Sequence, residues 1–87
     1  MLYDVFMKIR EAQIFSDKVV ALIKKEQQEK GISNYTLAQL SGISEASLSY
    51  IFRNQRRPTL YTLKMITDAL NLSLSEMISR AEIDDAE

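Results

Sequence analysis

Residues 33–54, SNYTLAQLSGISEASLSYIFRN, read as two short helices joined by a tight turn at Gly42. Ser33 has the side chain of a good N-cap, since its hydroxyl can accept a free backbone N–H of the first turn. Leu37, Ala38 and Leu40 are expected to supply the buried face of the first helix. Ser41-Gly42-Ile43-Ser44 then breaks it, because glycine takes a positive φ at no steric cost. Ser44 is the next N-cap. With Ser47 rather than an acid or amide three residues on, the capping box is incomplete and the hydroxyl acts alone. Leu48, Ile51 and Phe52 form the apolar side of the second helix.

The spacing says more than any single residue. Ala38 lies four residues before Gly42, where two steeply crossing helices need a small side chain. Ile43 sits in the turn and can plug the angle between them. Leu48 and Ile51, three apart, share a face and can close the core beneath. This is a helix-turn-helix arrangement, whose second helix has the placement needed to enter a DNA major groove.

Three further runs join this one: Ser47-Leu48-Ser49, Pro58-Thr59-Leu60 and Leu70-Asn71-Leu72-Ser73-Leu74. Together with Leu37-Ala38-Gln39-Leu40-Ser41-Gly42-Ile43-Ser44 they resemble the Cro/lambda-repressor-like (Xre-type) helix-turn-helix DNA-binding family. The resemblance runs from about Asp17 to Ile78 and implies an all-α, compact five-helix domain. The division expected is an additional N-terminal helical segment over 1–15, the domain over 16–80, and an acidic tail over 81–87. Relatives often pair an arginine near Gln27 with a glutamate at the Phe52 position. That buried ion pair cannot form here, and apolar packing is expected in its place. Asn54 stands where relatives usually have glycine, and asparagine is the next most tolerant of the left-handed conformation.

Bulk composition agrees with one small soluble domain. The chain has 87 residues, 46% hydrophobic and 26% charged, with two Gly and one Pro, so one helical core is the most it can build. It holds no Cys and no His, which excludes disulfides and argues against zinc or iron–sulfur chemistry; no cofactor is expected. No apolar run reaches the length of a membrane span and the N-terminus lacks a signal-peptide pattern, so a cytoplasmic protein is expected.

The net charge of −1 is misleading for a DNA binder. Residues 1–80 hold 11 basic side chains against 8 acidic ones, a net of +3. Between Glu45 and Asp68 there is no acidic residue, whereas Arg53, Arg56, Arg57 and Lys64 all fall there. Positive charge thus gathers at the end of the second motif helix and the loop after it.

Along the rest of the chain, Leu2, Val5 or Phe6, and Ile9 recur at helical spacing and suggest an amphipathic helix. It either packs on its own domain or serves as a dimer contact or arm. Ser16 can cap the next helix, with Asp17 in its first turn, Val19, Val20, Leu22 and Ile23 inward, and Gly31 at its end. Thr59 caps a fourth helix with Leu60, Leu63, Ile66 and Leu70 on one face. Ser73 and Glu76 form a capping box for a last helix, whose Leu74, Met77 and Ile78 face inward. The tail with Glu82, Asp84, Asp85 and Glu87 reads as solvated and frayed.

The resemblance maps DNA base contacts onto Ser44, Glu45, Ala46 and Tyr50, with Ser49 beside them. Glu45 can accept from cytosine N4 or simply favour the helix dipole; Ala46 can meet a thymine methyl. Phosphate contacts map onto Asn34, Thr36 and Ser47, with Tyr35 near. Arg53, Arg56, Arg57 and Lys64 supply the salt-dependent part of binding. One domain offers few base contacts, so the resemblance implies a homodimer on a palindromic operator of double-stranded DNA and action as a repressor. Its interface would be the N-terminal segment or the last helix. The competing reading is a helix-turn-helix protein-interaction module, such as the antitoxin partner of a toxin. Catalysis is not expected, because no base–nucleophile pair or metal-like cluster is present.

Overall fold

A computed structural model describes the backbone of residues 1–86 and the side chains through Ile83. Five α-helices follow in order: α1 (Leu2–Glu29), α2 (Asn34–Ser41), α3 (Glu45–Phe52), α4 (Leu60–Ala69) and α5 (Leu74–Ala86). Among the described residues there is no strand.

The short helices start and stop by one repeated local chemistry. Ser33, Ser44 and Thr59 each hold extended backbone, with ψ of 163°, 148° and 165°, and each hydroxyl accepts the N–H three residues on at 3.1 Å. Ser73 does the same for the N–H of Glu76 at 3.2 Å. The ends use left-handed residues: Gly31 (φ 68°), Gly42 (φ 77°), Asn54 (φ 58°) and Asn71 (φ 58°). At Gly31, Asn54 and Asn71 the next N–H reaches back to close the last turn: Ile32 to Gln27 O, Gln55 to Tyr50 O, Leu72 to Thr67 O. Ile32 and Leu72, just past two of these ends, pack against the core.

That core takes Val19, Val20 and Ile23 from α1, Leu37 from α2, and Leu48, Ile51 and Phe52 from α3. Ile66 and Leu70 of α4, with Met77 and Ala81 of α5, close it. Thr67 is fully buried without an orphaned hydroxyl, since Oγ1 donates to Leu63 O at 2.9 Å. Buried Ser41 accepts the N–H of Ile43 at 3.2 Å and so fixes the turn between α2 and α3. Across the back, Arg80 Nη1 meets Glu26 Oε1 at 3.1 Å and ties α5 to α1. No described helix is long and apolar enough to cross a membrane.

Four expectations need correction. Ser16 caps nothing: α1 runs unbroken for 28 residues, and Ser16 lies inside it, half-buried. A hydroxyl suited to capping is overridden because both flanks continue as helix with no glycine or proline to stop them. Leu40 is 57% exposed, because Leu37 and Ser41, one turn apart, already fill the inward line of α2. Leu60 is 68% exposed at the first position of α4, ahead of the turns that reach the core. The last helix does not fray at 81 either: Ala81 is fully buried and α5 continues to Ala86. The side chains of Asp84 and Asp85, and all of Glu87, lie outside the described residues.

Burial sets the expected mutational costs. Leu48→Ala should remove about 2–5 kcal/mol of stability in urea unfolding, and Leu40→Ala less than about 0.5 kcal/mol. A Cβ at Gly42 would meet only Met65 Cε at 3.7 Å, so Gly42→Ala should cost about 1–2 kcal/mol through its left-handed backbone alone.

Candidate nucleic-acid interface

The first turn of α3 presents Ser44, Glu45 and Ala46 to solvent. One turn further on stand half-buried Ser49 and exposed Tyr50, on the face opposite the buried pair Leu48 and Ile51. Helix geometry thus puts Ala46, Ser49 and Tyr50 on the outward side of α3, with Ser44 and Glu45 exposed at its N-terminal end.

The loop after α3 folds back onto this face. Arg56 Nη1 donates to Ser47 Oγ at 3.2 Å, and the Ser44 hydroxyl donates to the same oxygen at 2.9 Å. Both lone pairs of Ser47 Oγ are then used, so its own O–H is left to donate outward. The guanidinium carbons of Arg56 and Arg53 lie 5.2 Å and 5.5 Å from the centre of the Tyr50 ring. Arg53 Nε also donates to Ser49 O at 3.2 Å. Cation–π contacts at exposed sites contribute only about 0.5–1 kcal/mol each, but two of them hold two cations over one helix face. Tyr50 therefore serves first as the platform of the arginines.

Asn34 opens α2, where its Oδ1 accepts from Gln27 Nε2 at 2.8 Å. Gln27 is 5% exposed, so the bond anchors a surface amide to the core of α1. With its oxygen occupied, Asn34 presents its Nδ2 hydrogens. Thr36 repeats the pattern on a smaller scale, its hydroxyl accepting from Ser33 at 3.2 Å. Asn34, Thr36 and Ser47 are thus all turned outward as donors, the polarity that a phosphate oxygen requires.

A groove beside this face is lined by Asn34, Ser49, Arg53 and Phe52, and on its other wall by Lys24 and Gln28 of α1. Sequence reasoning passed over Lys24 and Gln28 and gave Gln27 only a packing role. Their three- and four-residue spacing was the available sign that they share a face. Apolar packing was expected to replace an ion pair between positions 27 and 52. Phe52 does pack in the core, but Gln27 keeps a polar bond, made to Asn34.

Arg57 is exposed and lies with Arg56 and Pro58 against Ser16 and Asp17 of α1. Lys64 stands apart from the cluster in its bonding: its Nζ is 2.8 Å from Asp68 Oδ1, one turn along α4. The acid that ends the basic stretch reaches back to it. Near the N-terminus of α3, Gln39 Nε2 donates to Tyr35 Oη at 3.1 Å, and both border the groove that holds Ser44 and Glu45. No group of three or more His, Cys, Asp or Glu side chains converges among the described residues.

Comparison with known proteins follows this geometry. A family model described as helix-turn-helix matches residues 23–77, which include α2, α3, α4 and their turns. The chain is 40% identical over 57 residues to the HTH-type transcriptional regulator SutR of Escherichia coli (strain K12), covering 66% of this chain and 32% of that protein. It therefore spans about a third of the length of that relative. No solved structure matches it.

The Gln27–Asn34 bond gives a stability test of the site. Asn34→Ala strands a buried amide and should cost about 1–3 kcal/mol, read as a lower urea midpoint. Thr36→Ala, at an exposed position, should leave that midpoint within about 0.5 kcal/mol of wild type.

Proposed function

The chain belongs to the helix-turn-helix family, of the Xre/Cro type that its motifs resemble, and on that premise we propose that it binds double-stranded DNA as a transcription regulator. The observation that carries the reading is the outward row of donors: Arg56 on Ser47, Arg53 beside Tyr50, and Asn34 turned by Gln27. α3 enters the major groove, with Ser44, Glu45, Ala46, Ser49 and Tyr50 nearest the base edges. Asn34, Thr36 and Ser47 donate to phosphates on either side, and Arg53, Arg56 and Arg57 neutralise them. Lys24 joins this set across the groove it shares with Asn34. Lys64, held by Asp68, contributes least.

Glu45 sharpens this reading. A carboxylate at the groove floor is repelled by phosphate unless it meets a donor, and cytosine N4 is the donor available. It therefore narrows sequence choice more than it adds affinity. So few base contacts call for two copies on a palindromic site, in the cytoplasm. Occlusion of a promoter by the bound dimer makes the protein a repressor. The exposed apolar residues of the N-terminal turns of α1 support a second reading, a protein-interaction module of the antitoxin kind.

The deciding experiment is fluorescence anisotropy with a random 30-base-pair duplex, titrated at low and moderate salt. Affinity should fall steeply as salt rises. In the Arg56→Ala, Arg57→Ala double variant binding should weaken alike on all sequences, and the salt slope should drop by about 2. Absence of binding even at low salt would overturn the DNA reading in favour of the interaction module.

A further inference from the structure

Gln27 holds a polar atom that the DNA contacts proposed above leave unused. The residue is 5% exposed, and its one side-chain bond runs from Nε2 to Asn34 Oδ1. Its Oε1 accepts no hydrogen bond from the described residues. Among those residues no fully enclosed side-chain oxygen or nitrogen goes without a partner, so Oε1 opens on the groove that Gln27 lines. An acceptor fixed in a buried residue is already ordered, and a donor that meets it gains a bond at little entropic cost.

The rest of the groove is cationic on both walls. It offers about 330 Å³, at the lower end of the range in which small-molecule sites fall. Lys24 stands exposed on the α1 wall with no ion pair among the described residues. Arg53 stands on the α3 wall, its Nε fixed on Ser49 O at 3.2 Å and its two terminal nitrogens left to donate. Ile32 and Phe52 add apolar surface, and no described acidic side chain lines the groove.

We propose that this groove binds a small phosphate monoester bearing free hydroxyls, and that the bound ester competes with DNA. Each part of such a molecule has its counterpart. Lys24 and Arg53 flank the phosphate, whose charge of about −1.5 to −2 at neutral pH suits two cations better than a carboxylate does. A hydroxyl donates to Gln27 Oε1, and the carbon skeleton covers Ile32 and Phe52. A DNA strand matches only the cations. Its backbone lacks the ribose 2′-hydroxyl and so has no donor to give to Oε1. Binding of the ester stands on the groove itself; only the competition rests on the DNA reading, in which the duplex needs the same two cations.

The test is isothermal titration calorimetry of the full chain at low salt, with ribose 5-phosphate, inorganic phosphate and ribose as separate probes. Ribose 5-phosphate should bind about tenfold tighter than inorganic phosphate, the preference that one added hydrogen bond gives. Gln27→Met should abolish that preference. Lys24→Met, at an exposed position, should weaken the ester about tenfold with the urea midpoint unchanged. Equal affinity for ester and inorganic phosphate overturns the proposal, since two cations alone would produce it. So does absence of heat with the ester at millimolar concentration. In anisotropy, ribose 5-phosphate should release a labelled duplex where inorganic phosphate at equal ionic strength does not, and ester binding without release overturns the competition. The two readings fail separately. A chain that binds the ester but no duplex keeps the site and loses the DNA reading, and one that binds duplex without preferring the ester does the reverse.

Discussion

Helices of eight residues do not persist in water, because two turns return too few hydrogen bonds for the cost of nucleation. α2 and α3 are both this short, and everything proposed for the DNA-facing surface stands on them. They exist because Leu37 and Leu48, both fully buried, join the core that Val19, Val20 and Ile23 of α1 and Ile66 of α4 complete. The hydroxyl caps at Ser33 and Ser44 then set where each begins, and Gly42 sets the angle between them. The recognition surface is thus a tertiary product. No part of it would hold its shape if cut from the rest.

The same dependence reaches the polar groups. Asn34 is oriented from beneath by a buried amide of α1, and Ser47 from the side by the arginine loop. In each case an acceptor is consumed within the protein and the donor is left facing outward. Preorganisation of this kind lowers the ordering cost that binding must otherwise meet. It also explains why a chain with net negative charge can present a surface suited to an anion. What counts is which atoms are already occupied.

How legible this was in the sequence depended on the range of the interaction. Caps and left-handed ends are decided within four residues, and Ser33, Ser44, Thr59, Gly42 and Asn54 could all be read directly. The buried face of α3 followed from spacing alone, as did Met77 and Ile78 of α5, but Ala81 was lost to the acidic run that follows it. Ser16 was misleading because capping is a competition, and the uninterrupted helical run on both sides won it. Leu40 and Leu60 were misread because periodicity finds a face but not whether a neighbour covers it. The Gln27–Asn34 bond spans seven residues around a helix end, and Arg56–Ser47 spans nine across a loop, beyond any local rule. Lys64 was grouped with the arginines because Asp68 was taken only as the boundary of the basic stretch, although it is one turn from the lysine.

The unbroken course of α1 has a geometric consequence. At about 1.5 Å and 100° per residue, its 28 residues form a shaft some ~42 Å long with no hinge between its exposed first turns and the body. Whatever seats on those turns is therefore held at a fixed rotational phase to Asn34 and α3. Length changes in the shaft are not equivalent in their effect. One added residue turns the two ends by about 100° and seven by only about 20° short of two full turns, so chain length here acts as an angular setting.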